Sequence, residues 1–333
     1  MKVVRLNHDI SGKEREIIAR ALNNDPTVRF TGNDIVMPDH SGTSFLKKAW
    51  IEEIVEQLPD YVLASRDWQA SDTEILVGND RIGDGNLTII AGPCAVESWE
   101  QINRIAGDIS EMGMKFLRGG AYKPRTSPYS FRGLKAKGLG HLQKVKDKYG
   151  LKIVTELMCT ESIDELVDVA DVLQIGSRNM YNYSLLECLG GVNKPILLKR
   201  GMSAKLNEFL LAAEYIISHG NKNVILCERG ISTFETATRN TLDLNAVPYL
   251  KQHAHLPVIV DPSHGTGIRP LVAPMALAAV ACGADGLEIE VHHKPDEALC
   301  DGKQSLQLSQ FKKLIKQLET LKKSGLKFAD YEY

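Results

Sequence analysis

Beyond residue 86 the chain alternates between short aliphatic runs and longer amphipathic segments, and this pattern restricts its fold. Eight runs have the length and composition of buried strands: residues 87–91, 115–118, 152–155, 172–175, 196–199, 223–227, 257–260 and 286–290. Helical periodicity lies between or after them, at residues 99–112, 205–219, 270–282 and 306–323. Near-continuous apolar strands that alternate with helices favour a parallel sheet. Because eight such units over roughly 240 residues match the size of a (β/α)8 barrel, we predict this TIM-barrel fold, with a doubly wound open sheet as the alternative.

Residues 1–65 follow a different order of elements. The patterns predict a strand at 2–6, a helix at 11–23, hairpin strands at 27–30 and 34–37, a helix at 44–57 and a strand at 61–64. This βαββαβ order is that of a small ferredoxin-like domain. We therefore divide the chain into a ferredoxin-like domain at 1–65, a linker with a short hairpin at 66–85 and a barrel at 86–333. The hairpin, with its Gly-Asn-Asp turn, is expected to close the lower end of the barrel.

Charge and composition exclude several classes of protein. A net charge of −2 over 333 residues argues against a nucleic-acid partner, which needs a basic face. The sequence lacks the run of about 18 apolar residues that a membrane span requires, and the first residues resemble a strand rather than an apolar signal core. The six cysteines are scattered without a C-x-x-C pair, which argues against a disulfide framework. We expect a cytoplasmic protein that contacts neither nucleic acid nor membrane.

The loop after the second predicted strand concentrates groups that bind phosphate. Residues 117–127 place Arg118, Lys123 and Arg125 beside two glycines, which let backbone amides approach an anion. For this loop alone, a solvated basic turn is the plain alternative. Cations recur at other strand ends, however, and the strand ends of a barrel meet at one mouth. The full set is Arg118, Lys123, Arg125, Arg178, Lys199 and Arg229. These cations predict a highly anionic, doubly phosphorylated set of reactants.

A second group of strand-end residues could hold a metal ion. It contains a thiol, an imidazole and two carboxylates: Cys94, His264, Glu290 and Asp301. A mixed set of S, N and O donors suits a divalent ion such as Mn, Fe, Co or Zn rather than calcium. Each residue also has an ordinary structural role, as a packed thiol, a loop histidine, an ion-paired carboxylate or a turn former, and the residues alone leave both interpretations open. Without a metal, neighbouring cations are expected to favour ionisation of Cys94.

Several motifs, in order along residues 74–325, resemble those of one enzyme family. They are Gly92-Pro93-Cys94, residues 117–127, Gln174-Ile175-Gly176-Ser177-Arg178, Leu198-Lys199-Arg200-Gly201, Cys227-Glu228-Arg229-Gly230, Asp261-Pro262-Ser263-His264 and residues 301–306. Together they resemble the motif set of the 3-deoxy-D-arabino-heptulosonate-7-phosphate (DAHP) synthases of type I beta. That family catalyses the first step of the shikimate pathway, which leads to the aromatic amino acids.

The resemblance implies a reaction and a role for each motif. Members condense phosphoenolpyruvate with erythrose 4-phosphate and release inorganic phosphate. Phosphoenolpyruvate would be bound by Arg118, Lys123, Glu156, Gly176, Ser177, Arg178, Lys199 and Arg229. Erythrose 4-phosphate would be bound by Arg125 and Thr126. One divalent metal would be ligated by Cys94, His264, Glu290 and Asp301, and Lys123 would donate the catalytic proton, so that Lys123, Cys94 and His264 form the catalytic set.

The resemblance also implies regulation and assembly, and it leaves two alternatives. Similar enzymes carry a ferredoxin-like unit that binds tyrosine or phenylalanine and blocks the barrel mouth, and tetramers are common among them, so we expect feedback inhibition and a homotetramer. The alternative enzyme is 3-deoxy-manno-octulosonate-8-phosphate synthase, which uses arabinose 5-phosphate; its Lys-Ala-Asn-Arg-Ser motif differs from Lys123-Pro124-Arg125-Thr126-Ser127 here. A non-catalytic sensor built on a degenerate barrel is the alternative of another class.

Overall fold

A four-stranded antiparallel sheet begins the chain in the computed structural model, which describes residues 1–56, 58–124 and 127–323. Its elements are β1 (Lys2–Leu6), α1 (Gly12–Ala21), β2 (Arg29–Thr31), β3 (Asp34–Met37) and β4 (Ile51–Val55). The strand order is β2-β3-β1-β4, and β3 is antiparallel to both β1 and β2. Strands β1 and β2, joined by α1, are therefore parallel to each other with β3 between them, which is the predicted split βαβ arrangement.

Two predicted elements of this N-terminal part are wrong. Instead of a helix at 44–57, the chain forms a short 3-10 turn, Lys48–Trp50, followed by β4. Strand β4 pairs with β1, and Arg5 Nη1 lies 3.1 Å from Glu53 Oε2 across that pair. Pairing with the free edge of β1 outweighs the local helical preference of a lysine- and glutamate-rich segment. The predicted strand at 61–64 is a 3-10 helix, Val62–Ala64, whose side chains are buried.

The predicted barrel is confirmed. Within the described residues, eight parallel strands pair in sequence order, and the ring closes where the eighth pairs with both the seventh and the first. A hairpin of β5 (Ile75–Val77) and β6 (Asp80–Ile82) precedes them. The barrel strands are β7 (Thr88–Gly92), β8 (Phe116–Arg118), β9 (Lys152–Leu157), β10 (Val172–Ile175), β11 (Ile196–Lys199), β12 (Val224–Glu228), β13 (Val258–Val260) and β14 (Gly286–His292). A short strand, β15 (Leu306–Gln307), pairs with β14.

Helices surround the barrel and also agree with the predicted periodicity. They are α2 (Trp99–Glu111), α3 (Ala136–Tyr149), α4 (Ile163–Val169), α5 (Tyr183–Gly190), α6 (Leu206–Ser218), α7 (Ala246–His253), α8 (Pro262–Thr266), α9 (Arg269–Ala281) and α10 (Leu308–Lys323). Helix α8 follows β13 directly, and the Asp261 side chain caps it by accepting the N–H of His264. Among the helices that the structure describes, none is long and apolar enough to cross a membrane.

The hairpin of β5 and β6 closes the lower end of the barrel, as predicted. Ile75, Val77 and Ile82 belong to the same buried cluster as the inward-facing side chains of the barrel strands, such as Ile90 and Phe116. These apolar side chains fill the barrel interior at the end opposite the strand C-termini. Any site for polar reactants therefore lies at the C-terminal mouth.

The N-terminal sheet packs on the outside of the barrel, against helix α6. The carboxylate of Glu214 in α6 accepts the backbone N–H groups of Leu63 and Ala64 at 2.9 and 3.0 Å. Val3 and Val36 of the sheet share a buried cluster with barrel residues. Glu214 lies in the second half of α6, and a helix that follows a barrel strand ends away from the mouth. The sheet is thus anchored near the end of the barrel remote from the strand C-termini.

Candidate active site at the barrel mouth

A cavity of about 300 Å³ opens at the C-terminal ends of the barrel strands. It brings together most of the residues that the sequence predicts for the site: Arg118, Lys123, Glu156, Gly176, Ser177, Arg178, Lys199, Arg229, His264 and Asp301. Cys94 and Glu290 contact two of these residues from behind, as described below. The two residues predicted to bind the sugar phosphate, Arg125 and Thr126, lie outside the described residues.

Two buried cations of the cavity floor are held by carboxylates. Arg118 donates from Nη1 to Glu290 Oε1 at 2.5 Å, and its Nε lies 3.3 Å from Glu288 Oε1. Lys199 Nζ lies 2.8 Å from the same Glu288 oxygen and 2.5 Å from Asp261 Oδ2. Although burial raises the pKa of Asp261, His264 and Lys199 outweigh that effect and hold it well below its usual value. The cavity floor is therefore a network of salt bridges that keeps Arg118 and Lys199 protonated and fixed in position.

Lys123 forms a second buried pair. Its Nζ donates to Glu156 Oε2 at 2.8 Å, and both side chains line the cavity. Burial lowers the pKa of Lys123, but Cys94 and Glu156 raise it by more, so the net shift is upward. Gly176 leaves room for the Glu156 carboxylate, because a Cβ at this position would overlap with Glu156 Oε1. Lys123 is thus a charged ammonium held at a defined position, able to donate a proton into the cavity.

Two further arginines carry charge without a carboxylate partner. Arg229 is buried and donates from Nη1 to Asn240 Oδ1 at 2.7 Å and to the Gly230 carbonyl oxygen at 3.3 Å. Burial lowers its pKa. Arg178 is exposed at the cavity rim. In the part of the chain that the structure describes, neither guanidinium forms a salt bridge, so together they provide the positive potential that an incoming anion would neutralise.

The four predicted metal ligands converge beside these cations. Cys94 Sγ lies 3.1 Å from Asp301 Oδ2, and His264 Nε2 lies 3.5 Å from Glu290 Oε1 and 3.7 Å from Asp301 Oδ2. Two atoms that bind one transition ion at about 2.0–2.3 Å are separated by about 3–3.7 Å. The potential ligand atoms form two groups of three that share Asp301, one with His264 and Glu290 and one with Cys94 and Cys300. These donors suit a divalent ion of the Mn, Fe, Co or Zn class, without distinguishing among these metals.

Local backbone and hydrogen bonds orient these ligands. His264 Nδ1 is 2.6 Å from Asp261 Oδ2, which leaves Nε2 facing the cluster. Asp301 adopts a left-handed backbone with φ of 53°, which turns its carboxylate toward Cys94. The contacts of Cys94 oppose the ionisation predicted for this thiol. Cys300 Sγ, 2.7 Å away, and burial both raise the pKa of the Cys94 thiol well above its usual value, against the opposite effect of Lys123.

The structure adds residues to which the sequence analysis assigns no role. Arg239 Nη1 contacts Asp301 Oδ1 at 3.2 Å and Gln304 Oε1 at 2.8 Å, and Gln304 Nε2 donates to Glu290 Oε2 at 2.6 Å. Gln174, in the middle of β10, also lines the cavity. A buried glutamine in a barrel strand is a recognisable signal in the sequence. Arg239 carries no comparable signal, because it lies in a loop whose path periodicity does not define.

Comparisons with known sequences agree with this geometry. The DAHP synthetase I family profile matches residues 67–326. A phospho-2-dehydro-3-deoxyheptonate aldolase from Thermotoga maritima is 52% identical over 271 residues, which cover 81% of this chain and 80% of that protein. A 2-dehydro-3-deoxyphosphooctonate aldolase from Geobacter sp. (strain M21) is 33% identical over 267 residues, which cover 74% of this chain and 97% of that protein.

Solved structures extend the likeness to the N-terminal sheet. The crystal structure of phospho-2-dehydro-3-deoxyheptonate aldolase (DAHP synthase) from Thermotoga maritima matches with a TM-score of 0.79 and 45% identity, over 97% of each chain. A truncated form of 3-deoxy-D-arabino-heptulosonate 7-phosphate synthase from that organism matches with a TM-score of 0.74 and 48% identity, over 79% of this chain and 97% of the other. The likeness thus covers both the N-terminal sheet and the barrel.

Proposed function

The chain belongs to the DAHP synthetase I family and is a DAHP synthase, and on this premise we propose that its mouth site condenses phosphoenolpyruvate with erythrose 4-phosphate and releases inorganic phosphate. The observation that carries the proposal is the meeting of two groups at one mouth. Cations suited to phosphorylated reactants line the cavity, and donors suited to a divalent metal lie against it. The reaction is the first step of the shikimate pathway.

Phosphoenolpyruvate binds to the cationic side of the cavity. Arg229 and Arg178 take its phosphate, because neither has a carboxylate partner among the described residues. Arg118, Lys123 and Lys199 surround the carboxylate and the enol carbons, with Glu156, Gly176 and Ser177 completing the wall. Each hydrogen bond to a charged group contributes about 1.5–3 kcal/mol. Erythrose 4-phosphate binds to Arg125 and Thr126, an assignment that follows from the family motif.

Cys94, His264, Glu290 and Asp301 would hold a divalent metal, which when bound would supply a Lewis acid for the aldehyde carbonyl of the sugar phosphate. The chain's own residues supply the remaining catalysis. Negative charge develops on the aldehyde oxygen as C3 of phosphoenolpyruvate attacks the aldehyde carbon, and the Lys123 ammonium donates a proton to that oxygen. Holding two reactants in register removes much of the entropic barrier.

Phosphate is released in a second phase of the reaction. Water adds to C2 of the condensed intermediate and forms a hemiketal phosphate, which collapses with cleavage of its C–O bond. Arg178 and Arg229 stabilise the charge of the departing phosphate, since neither guanidinium is neutralised by a carboxylate among the described residues. Glu156 keeps Lys123 aligned for the preceding step through their 2.8 Å contact.

The alternative substrate is arabinose 5-phosphate. Identity is higher to the heptonate aldolase, at 52%, than to the octonate aldolase, at 33%, which favours the four-carbon sugar. Phosphate release from phosphoenolpyruvate, measured with each aldose phosphate in turn, tests this choice. We expect turnover with erythrose 4-phosphate. Turnover with arabinose 5-phosphate instead would reassign the substrate, and none with either would support a non-catalytic sensor.

The two substrate sites should respond to different substitutions. Arg178→Ala removes a rim guanidinium assigned to phosphoenolpyruvate, and Arg125→Ala removes one assigned to erythrose 4-phosphate. Losing one charge-assisted contact should raise KM roughly tenfold or more for the corresponding substrate, with little change for the other. Initial rates with one substrate varied and the other saturating measure both constants. Equal increases for both substrates in both variants would contradict the assignment.

Residues 1–65 are proposed to form the regulatory domain, 66–85 the linker and 86–333 the catalytic domain, with tyrosine or phenylalanine as feedback inhibitor. Support comes from the separate antiparallel sheet β1–β4 and its anchor at Glu214. That anchor lies away from the mouth. To inhibit, an effector must therefore bind better to an arrangement in which the N-terminal domain blocks the mouth than to one in which the mouth is open. The proposed assembly is a homotetramer, which light scattering measures.

Removing the N-terminal sheet should abolish feedback inhibition and leave catalysis intact. A protein that begins at Ser71 keeps the hairpin of β5 and β6 and the whole barrel. The solved truncated relative makes a folded barrel a reasonable expectation. Activity is assayed with and without millimolar tyrosine or phenylalanine. If the full chain ignores both amino acids, or the truncated protein is equally inhibited, the regulatory proposal fails.

A further inference from the structure

The two carboxylates of the proposed metal site share one feature: in each, the oxygen that faces away from the other ligands accepts a hydrogen bond from a neighbouring side chain. In Glu290, Oε1 lies 3.5 Å from His264 Nε2, whereas Oε2 accepts a 2.6 Å hydrogen bond from Gln304 Nε2. In Asp301, Oδ2 lies 3.1 Å from Cys94 Sγ, whereas Oδ1 lies 3.2 Å from Arg239 Nη1. The outer oxygen of each carboxylate thus accepts a hydrogen bond from outside the cluster, and the other oxygen faces the remaining ligands. In Glu290 that inner oxygen, Oε1, also accepts from Arg118 Nη1 at 2.5 Å.

Arg239 and Gln304 are themselves joined, and the chemistry of the two groups sets the direction of the contact. A guanidinium donates hydrogen bonds and accepts none. Gln304 must therefore present its oxygen to Arg239, 2.8 Å away, and this places its NH2 group toward Glu290. Gln304 is buried, with 2% of its surface exposed, so water cannot readily replace either bond. Arg239 consequently fixes the amide orientation on which the bond to Glu290 depends.

The backbone next to Arg239 ties this pair to a third ligand. Arg239 N–H donates to Thr266 O at 2.9 Å, and Asn240 N–H donates to Gly265 O at 3.2 Å. Both acceptors belong to helix α8, which carries His264. Close packing supports the contact, since a Cβ on Gly267 would lie 2.4 Å from Arg239 Cβ. Arg239 therefore links the segments that carry His264, Asp301 and, through Gln304, Glu290.

We propose that Gln304 and Arg239 are positioning residues for the metal site, which orient Glu290 and Asp301 so that each presents a single oxygen to the ion. The proposal rests on the metal ligands assigned above. Outer hydrogen bonds of this kind commonly account for about 10–100-fold in metal affinity. By occupying the outer oxygens, they also disfavour bidentate binding by either carboxylate, which preserves a coordination position for a reactant.

Gln304→Met tests the proposal without changing the charge of the site. Methionine keeps the length of the side chain and removes both hydrogen bonds. We expect Mn²⁺ to bind the chelator-stripped full chain about 10–100-fold more weakly, as measured from the electron paramagnetic resonance signal of free Mn²⁺. The absorption bands of the Co²⁺ form should also change, since a freed Glu290 can alter the coordination. Gln143→Met is the matched control, because Gln143 donates to the Asp147 carboxylate at 2.8 Å on the surface of α3.

Arg239→Lys tests the second residue while keeping its charge. A lysine cannot reach both Asp301 and Gln304 in the fixed geometry of a guanidinium, so Mn²⁺ affinity should fall in this variant too. If Arg239 acts on Glu290 through Gln304, the Mn²⁺ affinity of the double variant should be little lower than that of either single variant. Arg104→Lys, at an exposed pair with Asp108, is the control.

Three outcomes separate the alternatives. Unchanged Mn²⁺ affinity and Co²⁺ spectrum in Gln304→Met, with or without a lower melting temperature, would overturn the proposal and leave Gln304 as a packing residue. A higher KM for one substrate in Arg239→Lys at unchanged Mn²⁺ affinity would make Arg239 a substrate contact and overturn its positioning role. A parent chain that does not bind Mn²⁺, Co²⁺ or Zn²⁺ would instead refute the metal assignment of the proposed function.

Discussion

Cys94→Ser and His264→Ala should each abolish measurable turnover while the barrel stays folded. The proposed metal site has four ligand residues, so losing one is expected to weaken metal affinity and to distort the geometry of the rest. Serine is a poor substitute for a thiolate, because the neutral hydroxyl is a weak ligand for a transition ion. Phosphate release at saturating substrates and added Mn²⁺ measures turnover. Metal content after gel filtration and far-UV circular dichroism measure loading and folding.

Two matched substitutions control for the loss of a thiol or an imidazole elsewhere. Cys188→Ser changes an exposed cysteine of α5, and His253→Ala changes an exposed histidine at the end of α7. Both should retain turnover and metal. Full activity of Cys94→Ser after metal has been removed with a chelator would contradict the metal site. Unfolding of both site variants would leave Glu290→Gln, a nearly isosteric change, as the deciding variant.

The barrel and most of its site were predictable because two regularities act together. Apolar strands of near-constant spacing specify the order β7–β14, and parallel strands place their C-terminal ends at one mouth. Arg118 and Lys199 end their strands, so their convergence follows from topology alone. The same reasoning brought Cys94, His264, Glu290 and Asp301 together without any local spacing motif.

The errors and omissions arise where tertiary contacts decide the outcome. Strand β4 forms because β1 offers an unpaired edge, whereas its lysine- and glutamate-rich sequence resembles a helix. The raised pKa of the Cys94 thiol results from its contact with Cys300, a residue 206 positions away in the sequence. Arg239 and Gln304 contact the carboxylates from loops, whose paths the strand pattern leaves undefined.

Lys199→Met should both destabilise the barrel and abolish activity. Its ammonium lies between two fully buried carboxylates, Asp261 and Glu288, at 2.5 and 2.8 Å. Removing one partner of a buried ion pair leaves an uncompensated charge and costs about 3–5 kcal/mol of stability. Arg118, 3.3 Å from Glu288, remains and compensates in part, so the loss should lie toward the lower value. Urea denaturation followed by far-UV circular dichroism measures the change in unfolding free energy.

Lys294→Met is the matched control for that loss. Lys294 pairs with Glu297 at 3.0 Å, but both side chains are exposed, and such a pair contributes about 0–1 kcal/mol. The double variant Lys199→Met/Glu288→Gln separates the two roles of Lys199. Neutralising Glu288 should restore part of the stability, because one buried charge then needs no partner. Activity should stay lost, since the ammonium is also assigned to phosphoenolpyruvate. A double variant as unstable as Lys199→Met would show that packing, rather than charge compensation, is what Lys199 contributes to the fold.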